Sequence, residues 1–379
     1  VRRKERRRFL SNLQKLESPR RLMMKSQNEK EKNNYYISAF YWKNYNAASK
    51  AKMDAEEIFE RRNFRPVELF KDSSKGNIRV FSLTKLLGLV FSKNRKKFKN
   101  SNVFLQNGTG IDVLISPFIK SAFKDGKRII MIHDIESLRI GRKADTAREK
   151  MIFSNFTHAI CHSEEMVDFL KNELEFKGRT YVLGFFDYLV KDKVDFSSRN
   201  FPKPNEKFKI AYAGNLSKWK SAFLYKIAEM NPNRYVFNLY GKGYDGPAME
   251  NILETKGAFP PDELPAKIDG HFGLVWDGED ISQPSGTTGK YLQYNSPHKA
   301  SLYIVSGFPL IVWKGAAIYK LVERYNIGFG IDSLLELDER LKEITPEQYA
   351  IWQANISNLA KELANGQSLG RVIDQILSE

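Results

Sequence analysis

The sequence predicts an α/β protein made of two successive doubly wound halves facing a cleft, closed by C-terminal helices. Three observations predict it. From about residue 35, short β-like runs alternate with longer helical patterns, the βαβα order of a parallel sheet covered on both faces. Residues 191–209 are rich in Asp, Ser, Pro and Lys and lack periodicity, which marks a linker. The alternation then restarts. Two Rossmann-like halves imply a cleft where the carboxyl ends of both sheets meet.

In the first half, residues 33–190, apolar runs predict strands at Tyr35–Tyr41, Val67–Phe70, Val103–Gln106, Arg128–Ile132, Ala159–Cys161 and Tyr181–Leu183. Helical periodicity fills the intervals at Ala47–Arg62, Ser82–Phe91, Ile111–Phe123, Thr146–Phe156 and Glu164–Leu174. In the second half, residues 210–345, strands are expected at Ile210–Ala213, Tyr235–Tyr240, near Gly257, and at Phe272–Trp276, Pro309–Val312 and Phe329–Ile331. Residues 346–379 read as helix, with Tyr349, Trp352, Ile356, Leu359 and Leu363 on one face, packing back on the first half.

The composition narrows the class. With 42% hydrophobic residues, 26 Phe and 17 Tyr, the chain is not disordered. The single Cys161 excludes a disulfide framework and fits a reducing cytoplasm. No run of about 18 apolar residues can span a membrane, and no secretory leader is recognisable. The net charge of +16 is uneven: residues 1–32 hold 12 Lys/Arg against 4 Asp/Glu. A second cluster, Lys93–Lys99, follows Leu86, Leu87, Leu89, Val90 and Phe91. Cations beside apolar residues suit an anionic membrane surface. A solvated basic face is the plainer reading, and no base-reading motif supports nucleic acid. The chain opens on Val, and Met23–Met24 offers an alternative start, which leaves residues 1–22 without a role.

Chemistry concentrates in a few loops. Between the runs Phe272–Trp276 and Pro309–Trp313 lies a Gly/Ser loop, then a helix-like segment opening with Tyr291, Asn295, His298 and Lys299. A small-residue loop, a helix N-terminus and a lysine suit a phosphorylated ligand. Gly214, Asn215, Ser217 and Lys218 form the first βα turn of the second half, either a diphosphate cradle or an ordinary Gly-Asn turn. Gly241, Gly243 and Gly246 match G-x-G-x-x-G but follow the second strand of their half, so a plain glycine-rich loop is favoured over a dinucleotide fingerprint.

His133 and Asp134 close a strand where a base could stand, with helix capping by Asp134 as the alternative. Asn107 and Thr109 face the same cleft edge, for an acceptor or simply a tight turn. The acidic run Asp277, Glu279, Asp280 lacks D-x-D spacing, and the five His form no H-x-x-x-H pair, so no metal site is expected.

Taken in order, IIMIHDIESLR (129–139), FFDYLV (185–190), IAYAGNLSKWKSAFLY (210–225), FGLVWDG (272–278) and YLQYNSPHKASLYIVSGFPLIVW (291–313) resemble the bacterial galactofuranosyltransferase-like glycosyltransferases. More distantly they resemble the glucosyltransferase 3 enzymes of adhesin O-glycosylation. The resemblance covers residues 35–379; the basic extension lies outside it.

It implies a GT-B fold, a UDP-sugar donor held mainly by the C-terminal half, no metal or other cofactor, and transfer to a sugar hydroxyl. Gly214, Asn215 and Lys218 would line the diphosphate, with Tyr291 and Lys299 opposite. Gly257, Ala258 and Phe259 would flank the uracil, while Asn295 and His298 would face the sugar or ribose. Asp134 is the expected base, with His133 and the donor-side Asp277 as alternatives. A β-linked product from an α-linked donor requires inversion, with cations and a helix N-terminus stabilising departing UDP.

The expected reaction is hexosyl transfer, galactofuranosyl for preference, to a lipid-linked cell-surface polysaccharide precursor. The alternatives are a glucosyltransferase acting on a serine-rich adhesin and a non-catalytic partner subunit. Expected partners are a UDP-sugar, a glycan or lipid-linked glycan, an anionic membrane surface and a second copy of the chain, with no nucleic acid. The expected location is the cytoplasm, peripheral at the inner face of the plasma membrane. The loop Ser282–Thr288 is where relatives differ, so the donor sugar stays open.

Overall fold

The computed structural model describes residues 33–38, 47–72, 79–91, 95–108, 110–191, 194–196, 199–230 and 232–379. The extension 1–32 with Met23–Met24, residues 39–41 of the first expected strand, Lys93 of the second basic cluster, four positions of the linker and Thr109 lie outside them.

The first sheet contains β1 (Asn34–Ile37), β2 (Arg65–Val67), β3 (Asn102–Gln106), β4 (Arg128–Met131), β5 (His158–Cys161) and β6 (Arg179–Val182), all parallel in the order β2-β1-β3-β4-β5-β6. The second contains β7 (Phe208–Asn215), β8 (Tyr235–Lys242), β9 (Leu253–Gly257), β10 (Phe272–Val275), β11 (Leu310–Trp313) and β12 (Gly328–Ile331), parallel in the order β9-β8-β7-β10-β11-β12. Strands β3, β5 and β10 are buried on both faces, which is why Val103–Leu105, Ala159–Cys161 and Phe272–Val275 read as continuous apolar runs rather than alternating ones. The expected strand Val67–Phe70 is divided: Val67 ends β2, and Phe70 opens a hairpin of Phe70–Asp72 with Arg79–Phe81.

The strand order of each sheet reverses once, between β1 and β3 in the first and between β7 and β10 in the second. Ligands of doubly wound sheets bind at such reversals, beyond the carboxyl ends of the strands.

The helices used below are α1 (Ala47–Arg61), α2 (Leu83–Phe91), α3 (Asp112–Ala122), α4 (Lys218–Ser221), α5 (His298–Val305), α6 (Pro346–Ala364) and α7 (Gln367–Ser378). The segment expected to run as one helix from Tyr291 is broken. Gly286–Tyr291 is a short helix, and α5 starts afresh after Pro297, whose fixed φ suits the residue before a helix.

The terminal helical stretch is also divided, at Asn365 and Gly366, the latter in the left-handed region at φ 78°. Thr345 caps α6 by accepting from the Gln348 N–H, and Pro346 occupies its first turn. Helix α7 lies against the first sheet: Leu369, Val372, Ile373 and Ile376 share a core with Tyr36, Phe59, Phe104 and Ile160. Asp187, beyond the end of β6, accepts from the Ser368 and Leu369 N–H groups and so caps α7.

Candidate active site

A cleft of about 1110 Å³ opens where the carboxyl ends of the two sheets face each other. Asn107, His133, Asp134 and His162 line it from the first sheet, and Gly214, Asn215, Lys242, Asp277 and the start of α5 from the second.

On the first wall, the Gln106 amide orients the His133 ring. The Gln106 amide donates to the Lys52 carbonyl at 3.1 Å, so its oxygen faces His133 Nε2 at 2.8 Å and accepts that proton. His133 Nδ1 then carries the lone pair, and it has no partner among the described residues. Burial, with Lys52, His162 and His298 nearby, holds the ring well below the ordinary histidine range, so it is neutral. Asn107 spans the corner, accepting from the His133 N–H at 2.7 Å and donating to the Asp134 carbonyl at 2.6 Å.

The Asp134 carboxylate is 42% exposed into the cleft and accepts from Arg139 Nη1 at 3.2 Å. The cleft walls push its carboxyl above the ordinary range, against the pull of Arg139, Lys220, Tyr291 and Lys52. Asp134 does not cap the next helix. Glu149 does that, accepting from the Glu136 and Ser137 N–H groups at 2.6 and 3.2 Å.

On the second wall, Gly214 (φ 141°) and Gly241 (φ 151°) sit side by side on β7 and β8. A Cβ on Gly241 would fall 1.9 Å from the Gly214 carbonyl oxygen, so the glycine-rich loop serves this close approach. Asn215 accepts the Ser217 N–H at 2.9 Å, an Asx turn, while still lining the cleft.

Lys299 is engaged by the protein. It donates to Asp277 Oδ1 at 2.8 Å and to the Trp276 carbonyl at 3.2 Å. Burial alone would raise Asp277, but Lys299, Lys220 and the Tyr212 hydroxyl outweigh it and hold the carboxylate below its ordinary range. Asp280 pairs separately with Lys226 at 2.6 Å.

The structure gathers Asn107, His133, Asp134, Gly214, Asn215, Ala258, Phe259, Asp277, Asn295, His298 and Lys299 around one cleft. Three expected residues are not in its lining. Lys218 lies over the Tyr225 ring at 5.5 Å. Gly257 ends β9 just outside the cleft. Tyr291 is buried and accepts from the Ile135 N–H at 3.2 Å, so it ties the second half to the backbone just after Asp134. Nor does any residue of the loop Ser282–Thr288 line the cleft.

Lys220 lines it instead of Lys218. Residues two apart on a helix point roughly 200° apart, so α4 can aim only one of the two lysines inward. Among the described residues Lys220 has no ion pair, yet it is near enough to shift Asp134, Asp277 and Lys299. Its position two residues beyond Lys218 was visible in the sequence; the phase of so short a helix was not.

His162 is a second omission. It donates from Nε2 to the Ile132 carbonyl at 2.8 Å and accepts the Ser296 N–H at Nδ1, tying the first sheet to the entry of α5. Phe186 and Tyr188 pack edge-on and stacked against His298. In the same lining, Asn295 Oδ1, Ser296 Oγ and His298 Nε2 are buried with no partner among the described residues. Buried polar atoms left unpaired in this way mark an unmet hydrogen-bonding demand.

Comparison with known proteins agrees with this geometry. Residues 34–178 match the family model described as the glucosyltransferase 3-like N-terminal domain, and residues 210–376 match its C-terminal domain, together well over half of the chain. The β-1,6-galactofuranosyltransferase WbbI of Escherichia coli (strain K12) is 28% identical over 250 residues, 66% of this chain and 71% of that one. Glucosyltransferase 3 of Streptococcus gordonii is 34% identical over 80 residues, 21% of this chain and 23% of that one.

Among solved structures, sucrose-phosphate synthase from Thermosynechococcus elongatus superposes with a TM-score of 0.60 at 11% identity, covering 92% of this chain and 99% of its own. The E. coli trehalose-6-phosphate structure bound with UDP-2-fluoro glucose gives 0.54 at 9% identity, covering 90% and 98%. At such identities the likeness shows the fold alone. With both halves matched by one family and the two sheets arranged as GT-B, the chain belongs to the glucosyltransferase 3-like family and is a glycosyltransferase.

Proposed function

We propose that the protein transfers a hexosyl group, galactofuranosyl in the first instance, from a UDP-sugar to a sugar hydroxyl of a lipid-linked polysaccharide precursor. The observation that carries this reading is the pairing of walls: His133 and Asp134 on one, Lys220 and the start of α5 on the other, around one cleft. The galactofuranosyl choice rests on the likeness to WbbI. A glucosyl donor is the second reading, favoured by the glucosyltransferase 3-like match in both halves.

In this mechanism the donor diphosphate lies between the exposed Gly214 backbone and Lys220, with the first N–H groups of α5 supplying partial positive charge. Ala258 and Phe259 flank the uracil, where Phe259 packs beside Tyr240. Asn295 Oδ1, Ser296 Oγ and His298 Nε2 meet hydroxyls of the donor.

The acceptor oxygen attacks the anomeric carbon as the carbon–oxygen bond to UDP breaks, inverting the configuration. Asp134 receives the acceptor proton. Its raised pKa makes it a stronger base than an ordinary carboxylate, whereas His133, held far below its ordinary range, is a weak one. The Nδ1 lone pair of His133 instead accepts a hydrogen bond from a substrate hydroxyl. Lys220 and α5 stabilise the charge on departing UDP, a task that needs no metal in this scheme. Asn107 stands on the acceptor side. Lys299 acts indirectly, by holding Asp277 and the floor of the donor site.

The test is UDP release by the purified protein across UDP-galactofuranose, UDP-galactopyranose, UDP-glucose and UDP-GlcNAc, with simple alkyl glycosides as acceptors. Fastest release from UDP-galactofuranose is expected. Preference for UDP-glucose would select the second reading, and release from none of the four would overturn both.

A further inference from the structure

Helix α2 has two apolar faces. Leu86 and Leu89 are buried in the core with Ile115 and Ile119 of α3. Leu83, Leu87 and Phe91, spaced i, i+4, i+8, are 52%, 38% and 76% exposed. That spacing puts all three on one outward stripe. Leu114, near the start of the neighbouring α3, is exposed as well.

The surrounding charge has one sign. Residues 83–100 contain six Lys or Arg and no Asp or Glu. Lys96, Lys97 and Lys99 are exposed beyond the end of α2, and among the described residues only Lys99 of these three reaches a carboxylate, Asp125 at 3.4 Å. Helix α3, against which α2 packs, begins with Asp112 and Val113 in the lining of the cleft. The stripe is therefore one helix removed from the acceptor side.

From this juxtaposition we infer that the α2 face, Leu83, Leu87 and Phe91 with Lys96, Lys97 and Lys99, docks the protein on an anionic lipid bilayer beside the mouth of the cleft. A second copy of the chain would present the same cations and be repelled. Nucleic acid would answer the lysines but offers no apolar phase for a Leu-Leu-Phe stripe. A bilayer answers both, with headgroups for the lysines and acyl chains for the stripe. Among the described residues no helix is long and apolar enough to cross a membrane, so the contact is peripheral. The inference deepens the proposed use of a lipid-linked acceptor and rests on that reading for its purpose, not for its geometry.

The test is flotation of the full-length chain with vesicles of equal parts phosphatidylcholine and phosphatidylglycerol, against phosphatidylcholine alone. Binding only to the anionic vesicles is expected. K96E/K97E should weaken it by about tenfold or more, since each cation near such a surface contributes about fivefold. L87S/F91S should weaken it as well, and both variants should keep the parent's thermal midpoint because the replaced side chains are exposed. UDP release with a soluble alkyl glycoside should stay unchanged in both, which separates failure of docking from failure of the transferase reading. Parent-like vesicle binding by both variants would overturn the inference. So would variants that lose binding to a single-stranded RNA while keeping it to vesicles.

Discussion

Replacing Lys299 with Met asks whether its ammonium serves Asp277 or the substrate. The two side chains are 9% and 6% exposed and meet at 2.8 Å, and Lys299 also lies 4.2 Å from the centre of the Tyr212 ring. At an effective dielectric constant of about 20 their attraction is roughly 6 kcal/mol, offset by several kcal/mol of desolvation for each ion. The net value of the pair is therefore small. Removing one member is different, because it leaves a buried charge uncompensated at a cost of about 3–5 kcal/mol.

Lys299→Met should lower the unfolding free energy by that amount in equilibrium urea denaturation. Adding Asp277→Asn should restore most of it, since the amide keeps an oxygen for the Tyr212 hydroxyl. The gap between parent and single variant should narrow on acidification. In the parent, Asp277 has a depressed pKa, so its contribution is present above the ordinary carboxylate pKa of about 3.9 and is lost as pH falls through its lower folded value. In the variant the unpaired carboxyl is raised, and its penalty disappears as it protonates. Lys220→Ala gives the contrast: stability within about 0.5 kcal/mol of the parent, but turnover reduced by about 10²–10³-fold. A Lys299→Met protein within about 1 kcal/mol of the parent, or a double variant no more stable than the single, would refute the reasoning.

Asp134→Asn should lower kcat by about 10²–10⁴-fold with the fold intact, read as UDP release alongside circular dichroism; a rate near the parent's, with His133→Ala inactive, would transfer the base to His133. Asp187 is pushed up to about 7 by burial, so its contribution is complete below the ordinary carboxylate pKa and lost as pH rises through 7. The stability difference between parent and Asp187→Asn should therefore shift in favour of the variant between about pH 4 and pH 7, and a difference independent of pH would count against a protonated Asp187.

The two halves, the break between them and the βα turns were legible because each depends on local pattern. Buried parallel strands such as Val103–Leu105 and Phe272–Val275 must be continuously apolar, and the turns at Gly214 and His133 follow directly from strand ends. Helix interruptions were harder to read: Pro297 starts α5 and Gly366 separates α6 from α7, yet the apolar spacing runs through both breaks.

The sequence by itself thus determined the fold class and brought most of the candidate site to one cleft edge, because strand ends in a doubly wound sheet have a known place. Only the tertiary structure decided which charges are free to act. Lys299 is neutralised by Asp277, Tyr291 holds the Ile135 backbone from the opposite half, and Lys220 rather than Lys218 faces the cleft. Those outcomes depend on the phase of a four-residue helix and on partners 22 and 156 positions apart in sequence (Asp277 to Lys299, Ile135 to Tyr291). Local pattern carries no record of such distances.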